Sequence, residues 1–171
     1  MQRNSALTLI EVLITIGIIV VLAGIIIAIS PYIRDRAEAA RCTNNLRQLQ
    51  LAFSSYIQSE GHWPQEPPEF NEDTPVNVME DWYIDALEPY GATEAIWRCP
   101  TIYRRVTSKS KDNRPKIHYS PTMFDELPGT PYKWPKQPWL IEIANMHGAG
   151  ALVCFPDGSV RPFNELLKPQ K

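Results

Sequence analysis

The sequence predicts an α+β chain in which one long N-terminal helix, its first half spanning a membrane, packs on a small antiparallel β-sheet. Three observations predict it. Residues 12–29 form an eighteen-residue run without a charge. Residues 35–59 then contain no proline or glycine and carry apolar side chains at spacings of three and four, the stripe of an amphipathic helix. Twelve of the sixteen prolines fall between Pro64 and Pro138, which excludes a helical bundle there. The 171 residues suffice for one ordinary domain with an accessory element. A formal net charge of −2 argues against a general polyanion binder, so no nucleic-acid partner is expected. Three cysteines are too few for a disulfide-dense scaffold, and their spacing matches no zinc pattern. Neither a metal nor a cofactor is expected.

The apolar run extends back to Leu7, interrupted by Thr8 and Glu11. As a helix, residues 7–29 would rise about 35 Å, enough for a hydrocarbon core of about 30 Å. They are expected to be a transmembrane helix, with residues 30–59 as its amphipathic continuation and residues 60–171 as a soluble α+β head. A cleaved secretory signal fits poorly. Its apolar core runs to about 7–15 residues, and here Pro31 directly follows Ala28-Ile29-Ser30. Charge leaves the orientation open, since Arg3 precedes the run and Arg34, Arg36 and Arg41 follow it. Gly17, Gly24 and Ala28 form a small-residue seam that lets helices approach closely, either between neighbouring chains or within a bilayer.

Glu11 is the informative residue, because a carboxylate inside a membrane span is costly unless neutralised or paired. Its surroundings, Ser5-Ala6-Leu7-Thr8-Leu9-Ile10-Glu11-Val12-Leu13-Ile14, resemble the processing site of type IV prepilins and type II secretion pseudopilins. The resemblance implies a pilin-like fold and a leader, residues 1–6, cut between Ala6 and Leu7 by a prepilin peptidase that then methylates the Leu7 amine. Ala6 stands where the family prefers glycine, and Leu7 where it has phenylalanine or methionine. Glu11 would pair with the Leu7 amine of a neighbouring subunit, offsetting the desolvation of both charges on assembly.

The function so implied is that of a structural, non-enzymatic subunit of a secretion pseudopilus or a type IV pilus. Its partners would be copies of itself, other pilin-like subunits, the peptidase, the inner-membrane assembly platform and membrane lipid. The chain would cross the inner membrane once, with its head in the periplasm. The alternative is a single-span anchored periplasmic binding module, or a minor pilin that captures DNA or a surface ligand.

Pro31 is expected to kink the helix rather than end it. One helix over residues 7–59 would be about 80 Å long; two helices hinged at Pro31 is the other reading. Ala39, Cys42, Leu46, Leu49, Phe53 and Tyr56 form the packing stripe, and Gly61 sits at the C-terminal cap. Asn77-Val78-Met79-Glu80 reads as a capping box opening a helix that ends at Leu87, before Pro89. Strands are expected over residues 117–120, 139–143, 151–155 and 160–163, the last confined to an edge by Pro162. Residues 60–81 hold seven acids and no Lys or Arg, whereas residues 98–116 hold seven basic residues and one acid. These blocks are either complementary subunit surfaces or solvated loops.

His147, nine residues and then Asp157-Gly158 resemble a motif of prepilin-like proteins. The segments Arg41-Cys42-Thr43-Asn44-Asn45-Leu46-Arg47-Gln48-Leu49 and Trp97-Arg98-Cys99-Pro100 resemble others of that family. A periplasmic head would permit one disulfide. Cys42 with Cys99 is favoured, since both lie in these segments and Cys42 is on the packing stripe; Cys99 with Cys154 is the alternative. His147 and Asp157 are expected to mark the two ends of one strand rather than form a dyad, because a strand advances about 3.3 Å per residue. Gly158 would take a left-handed turn position and Asp157 would satisfy turn donors. A nucleophile at Cys99 or Cys154 with His62, His118 or His147 as base matches no recognised nucleophile motif, so no catalytic residue is assigned.

Overall fold

In the computed structural model, residues 8–107, 115–147 and 150–167 are described, without the side chains of residues 26–31 and 106–107. The chain divides into two compact units, Met1–Ala37 and Glu38–Lys171. Helix α1 (Leu9–Glu60) contributes to both.

The start of α1 is fixed by a reciprocal cap. The Thr8 amide and hydroxyl both donate to Glu11 Oε2 at 2.8 Å, and the Glu11 amide donates back to Thr8 Oγ1 at 3.4 Å. This is the capping box, Thr at the cap and Glu three residues on. In the first unit every described side chain from position 8 to 25 is exposed, Leu9 at 85% and Ile19 at 62%.

The membrane-spanning first half expected for residues 7–29 is corrected by the structure. Among the described residues, no helix is long and apolar enough to cross a membrane.

The second unit is α+β. From position 38 on, α1 buries one face: Cys42, Leu46, Leu49, Ala52, Phe53 and Ile57 are all buried. Ala39 and Tyr56, expected on that stripe, lie at its partly buried margins. The helix ends where Gly61 takes a φ of 82° and its amide donates to the Ile57 carbonyl at 3.0 Å. Helix α2 (Val76–Leu87) follows, capped by Pro75 with no side-chain cap bond. The capping box expected at Asn77–Glu80 is therefore absent. The Glu80 carboxylate instead accepts the Lys116 amide at 3.0 Å, a tertiary contact that outcompetes local capping. Two short 3₁₀ turns, Glu88–Tyr90 and Glu94–Trp97, lead to α3 (Pro100–Thr107).

The sheet is a four-stranded antiparallel meander in chain order, β1 (Tyr119–Pro121), β2 (Leu140–Glu142), β3 (Leu152–Cys154) and β4 (Val160–Pro162). Tyr119 pairs with Glu142, Leu140 with Cys154, and Cys154 with Val160. β3 is buried along its length, as befits a central strand. β4 lies at an edge, where the missing amide of Pro162 costs no ladder bond. The short helix α4 (Thr130–Lys133) lies in the β1–β2 connection, and α5 (Phe163–Leu166) follows β4.

One core joins the buried face of α1 to Trp63, Trp97, Trp139, Tyr119, Leu140, Leu152 and Cys154. The Trp63 ring stacks on Phe53 at 4.5 Å and meets Trp139 edge-on at 5.2 Å, the two arrangements that aromatic quadrupoles favour. The acidic and basic blocks meet within the head: Lys116 Nζ binds Asp81 Oδ2 at 2.7 Å. Residues 108–114 of the basic block lie outside the described residues.

Candidate functional site

The residues singled out from the sequence fall in four places, the last of them the β3–β4 turn described below. Ala6 and Leu7, the expected cleavage and methylation positions, lie outside the described residues. Glu11, the expected assembly residue, caps its own helix through Thr8. The third group lies in the head, around Cys99.

Cys99 is held from several sides. Its carbonyl accepts the Tyr103 amide at 2.9 Å, and Pro100 follows as the first residue of α3, a position that tolerates the missing amide. Asn45 Nδ2, on α1, donates to the neighbouring Arg98 carbonyl at 3.0 Å. The Cys99 amide donates to His118 Nδ1 at 2.9 Å. That bond requires a neutral His118 with its proton on Nε2, and burial lowers the His118 pKa from its ordinary value. Cys99 is joined to Cys42 by a disulfide with a Cα–Cα distance of 5.2 Å, within the usual span for such bonds. Cys154, the partner in the alternative pairing, is a free, buried thiol, and burial pushes its pKa up to about 12. It behaves as a small apolar residue of β3.

His147 reaches the same place. Its Nε2 lies 3.5 Å from Cys99 Sγ and 3.1 Å from Glu142 Oε1. The side chain of His147 is 6% exposed and that of Glu142 fully buried. Strand alternation points Glu142 inward: Leu140 and Glu142 face the core while Ile141 faces out. The second carboxylate oxygen accepts the Leu152 amide from β3 at 3.1 Å. Glu142 was missed from the sequence. Its signal was an acid in phase with the inward-facing Leu140, which marks a buried charge and hence a partner.

Asp157 and Gly158 lie apart from this cluster in their own bonding. They form the β3–β4 turn, in which the Gly158 amide donates to the Phe155 carbonyl at 2.9 Å and the Phe155 amide to the Ser159 carbonyl at 3.0 Å. Gly158 has a φ of 74°, the left-handed region that other residues resist. Asp157 Oδ1 accepts the Ser159 amide at 2.9 Å, and bonding to Ser159 holds its carboxyl below the ordinary value. Gln50 Nε2 of α1 binds the Pro156 carbonyl at 2.7 Å, tying the turn to the helix. Among the described residues no hydrogen bond joins His147 to Asp157.

A second buried carboxylate, Glu38, accepts from Thr101 Oγ1 at 2.9 Å and Arg104 at 2.8 Å, tying α1 to α3. Beside α2 and β1, a cleft of 390 Å³ is lined by Met79, Tyr83, Ile117, Met123 and Ile143 together with Glu66 and Glu80. Comparison with protein-family models, with curated proteins and with solved structures finds no match to this chain.

Proposed function

We propose that this chain is a structural subunit of a cell-envelope filament, of the type IV pilin or type II secretion pseudopilin kind, assembled through its N-terminal helix. One observation carries the reading. The described side chains of residues 8–25, nearly all apolar, are exposed around the whole circumference of α1. An apolar surface of that extent does not persist in water and calls for partners. In a bundle of like helices each subunit buries this surface against its neighbours, while the head, which has its own core, stays outside. The leader-like residues before Thr8 supply the processing step, in which a prepilin peptidase cuts between Ala6 and Leu7. The new Leu7 amine of one subunit then competes with Thr8 for the Glu11 carboxylate of the next, so pairing is gained on assembly. The Cys42–Cys99 disulfide fits a head that matures in an oxidising compartment such as the periplasm.

A minor, tip-located pilin whose head captures a surface ligand is favoured by the apolar cleft beside α2. Labelling at filament tips alone, rather than along their length, separates this reading from the first.

Ile19, on the exposed apolar surface, provides the test. Ile19→Asp puts an unpaired charge into the dry helix bundle and should abolish incorporation into filaments, with the thermal unfolding of the head unchanged. Normal incorporation of Ile19→Asp would refute the proposal.

A further inference from the structure

Cys42, Cys99, Glu142 and His147 each present one donor atom, and the four atoms lie within 4.8 Å of one another. They come from α1, the residue before α3, β2 and the loop after β2. The filament reading uses only the disulfide and leaves His147 and Glu142 without a role. We propose that the reduced chain binds one divalent cation of the zinc class here, through both thiolates, His147 Nε2 and a Glu142 carboxylate oxygen. Disulfide and metal are alternative occupants of one site.

The geometry is close to what a tetrahedral ion requires. Bonds of about 2.3 Å to sulfur and about 2.0–2.2 Å to nitrogen or oxygen place sulfur and nitrogen about 3.6 Å apart, and nitrogen and oxygen about 3.4 Å apart. Cys99 Sγ and His147 Nε2 are separated by 3.5 Å, and His147 Nε2 and Glu142 Oε1 by 3.1 Å. The two sulfurs must part, to about 3.8 Å, a motion that rotation about their Cα–Cβ bonds supplies, and the remaining donor pairs already lie within 4.8 Å of one another. The surrounding bonds are those of a prepared site. The Leu152 amide holds the second Glu142 oxygen, the outer-shell contact that orients a ligating carboxylate. Cys42 and Cys99 are fully buried and Glu142 is 2% exposed, so four protein ligands close the site and leave no position for water, the pattern of a structural rather than a catalytic ion. Two thiolates and an imidazole select zinc-like ions over calcium or magnesium, which take oxygen ligands.

The redox chemistry balances with a tertiary phosphine as reductant. The phosphine takes the oxygen of one water and becomes its oxide, the S–S bond breaks, and each sulfur takes one proton. Zn²⁺ then binds as the two thiol protons pass to solvent.

The test uses the full chain in detergent, oxidised and then phosphine-reduced, titrated with Zn²⁺ against a chromophoric chelator and with Co²⁺ by absorption. One ion should bind per reduced chain and none per oxidised chain. Co²⁺ should give a near-ultraviolet thiolate charge-transfer band and the visible bands of a tetrahedral site. His147→Ala and Glu142→Gln both retain the disulfide, so their folding is verified in the oxidised form; once reduced, each should lose the tetrahedral spectrum. If reduction alone unfolds the head, Zn²⁺ should refold it. The proposal is overturned by a reduced chain that binds no ion, by an unfolded reduced chain that Zn²⁺ does not restore, or by a tetrahedral Co²⁺ spectrum that survives in both variants.

Discussion

Opening the Cys42–Cys99 disulfide should remove a large fraction of the head's stability. The two residues are 57 apart in sequence. In the chain-entropy description, a loop of that length restricts the unfolded ensemble by about 14 cal/mol/K, or about 4 kcal/mol at 25 °C. That is an upper value, since residual structure in the reduced unfolded chain lowers it. The replacement Cys42→Ala with Cys99→Ala removes the crosslink and leaves an apolar side chain at each buried site. For a chain of this size each kcal/mol shifts the melting temperature by about 2–4 °C, so the double variant should melt about 8–16 °C lower. The assay is thermal unfolding of the full chain in detergent with a chelator present, followed by near-ultraviolet circular dichroism, which the three buried tryptophans dominate. A fall of less than about 3 °C, equivalent to roughly 1 kcal/mol, would refute the reasoning and show that α1 and the segment before α3 are held together without the crosslink.

Two further outcomes are expected. Glu11→Leu removes the carboxylate that caps α1 through Thr8 and the proposed partner of the Leu7 amine; a filament preparation should contain little of this variant, and wild-type levels would contradict the pairing. His118 is kept neutral mainly by burial, with the Arg98 charge acting in the same direction and the charge of Glu142 opposing it. Its folded pKa lies below the ordinary 6.5, so the unfolded chain binds the extra proton first and stability falls as pH drops below that value. Urea midpoints measured across pH should show this decline, and His118→Asn, which keeps an acceptor near the Nδ1 position, should lessen it; identical profiles would count against the assignment.

The helix and the sheet were legible because their signals are periodic. The stripe through Cys42, Leu46, Leu49 and Phe53 has the 3.6-residue repeat, and Gly61 stands where a left-handed cap is needed. Three of the four strands lie within the expected segments, each trimmed to three residues, while β1 overlaps its segment and runs on to Pro121, one residue past the expected end. What was not legible depends on contacts between distant segments. The Asn77-to-Glu80 pattern has the spacing of a capping box, but a backbone amide at Lys116 takes the carboxylate. Thr8 and Glu11 do form that box, a local explanation for an acid that the sequence had suggested only as a membrane or assembly feature. The membrane span was inferred from unbroken apolarity through residue 29, whereas among the described residues no helix is long and apolar enough to cross a membrane. The cluster at Cys99 could not be found by spacing. Its ligand-type residues lie at positions 42, 99, 142 and 147, so no short motif contains them, and only the β2 register turns Glu142 toward His147.

The most direct test of the filament account is to shear envelope filaments from cells, label them with an antibody to the head, and determine the N-terminus of the labelled chain by mass. The account predicts label along the filaments and a chain that begins at a methylated Leu7. Filaments without label, together with a chain that retains Met1, would contradict it.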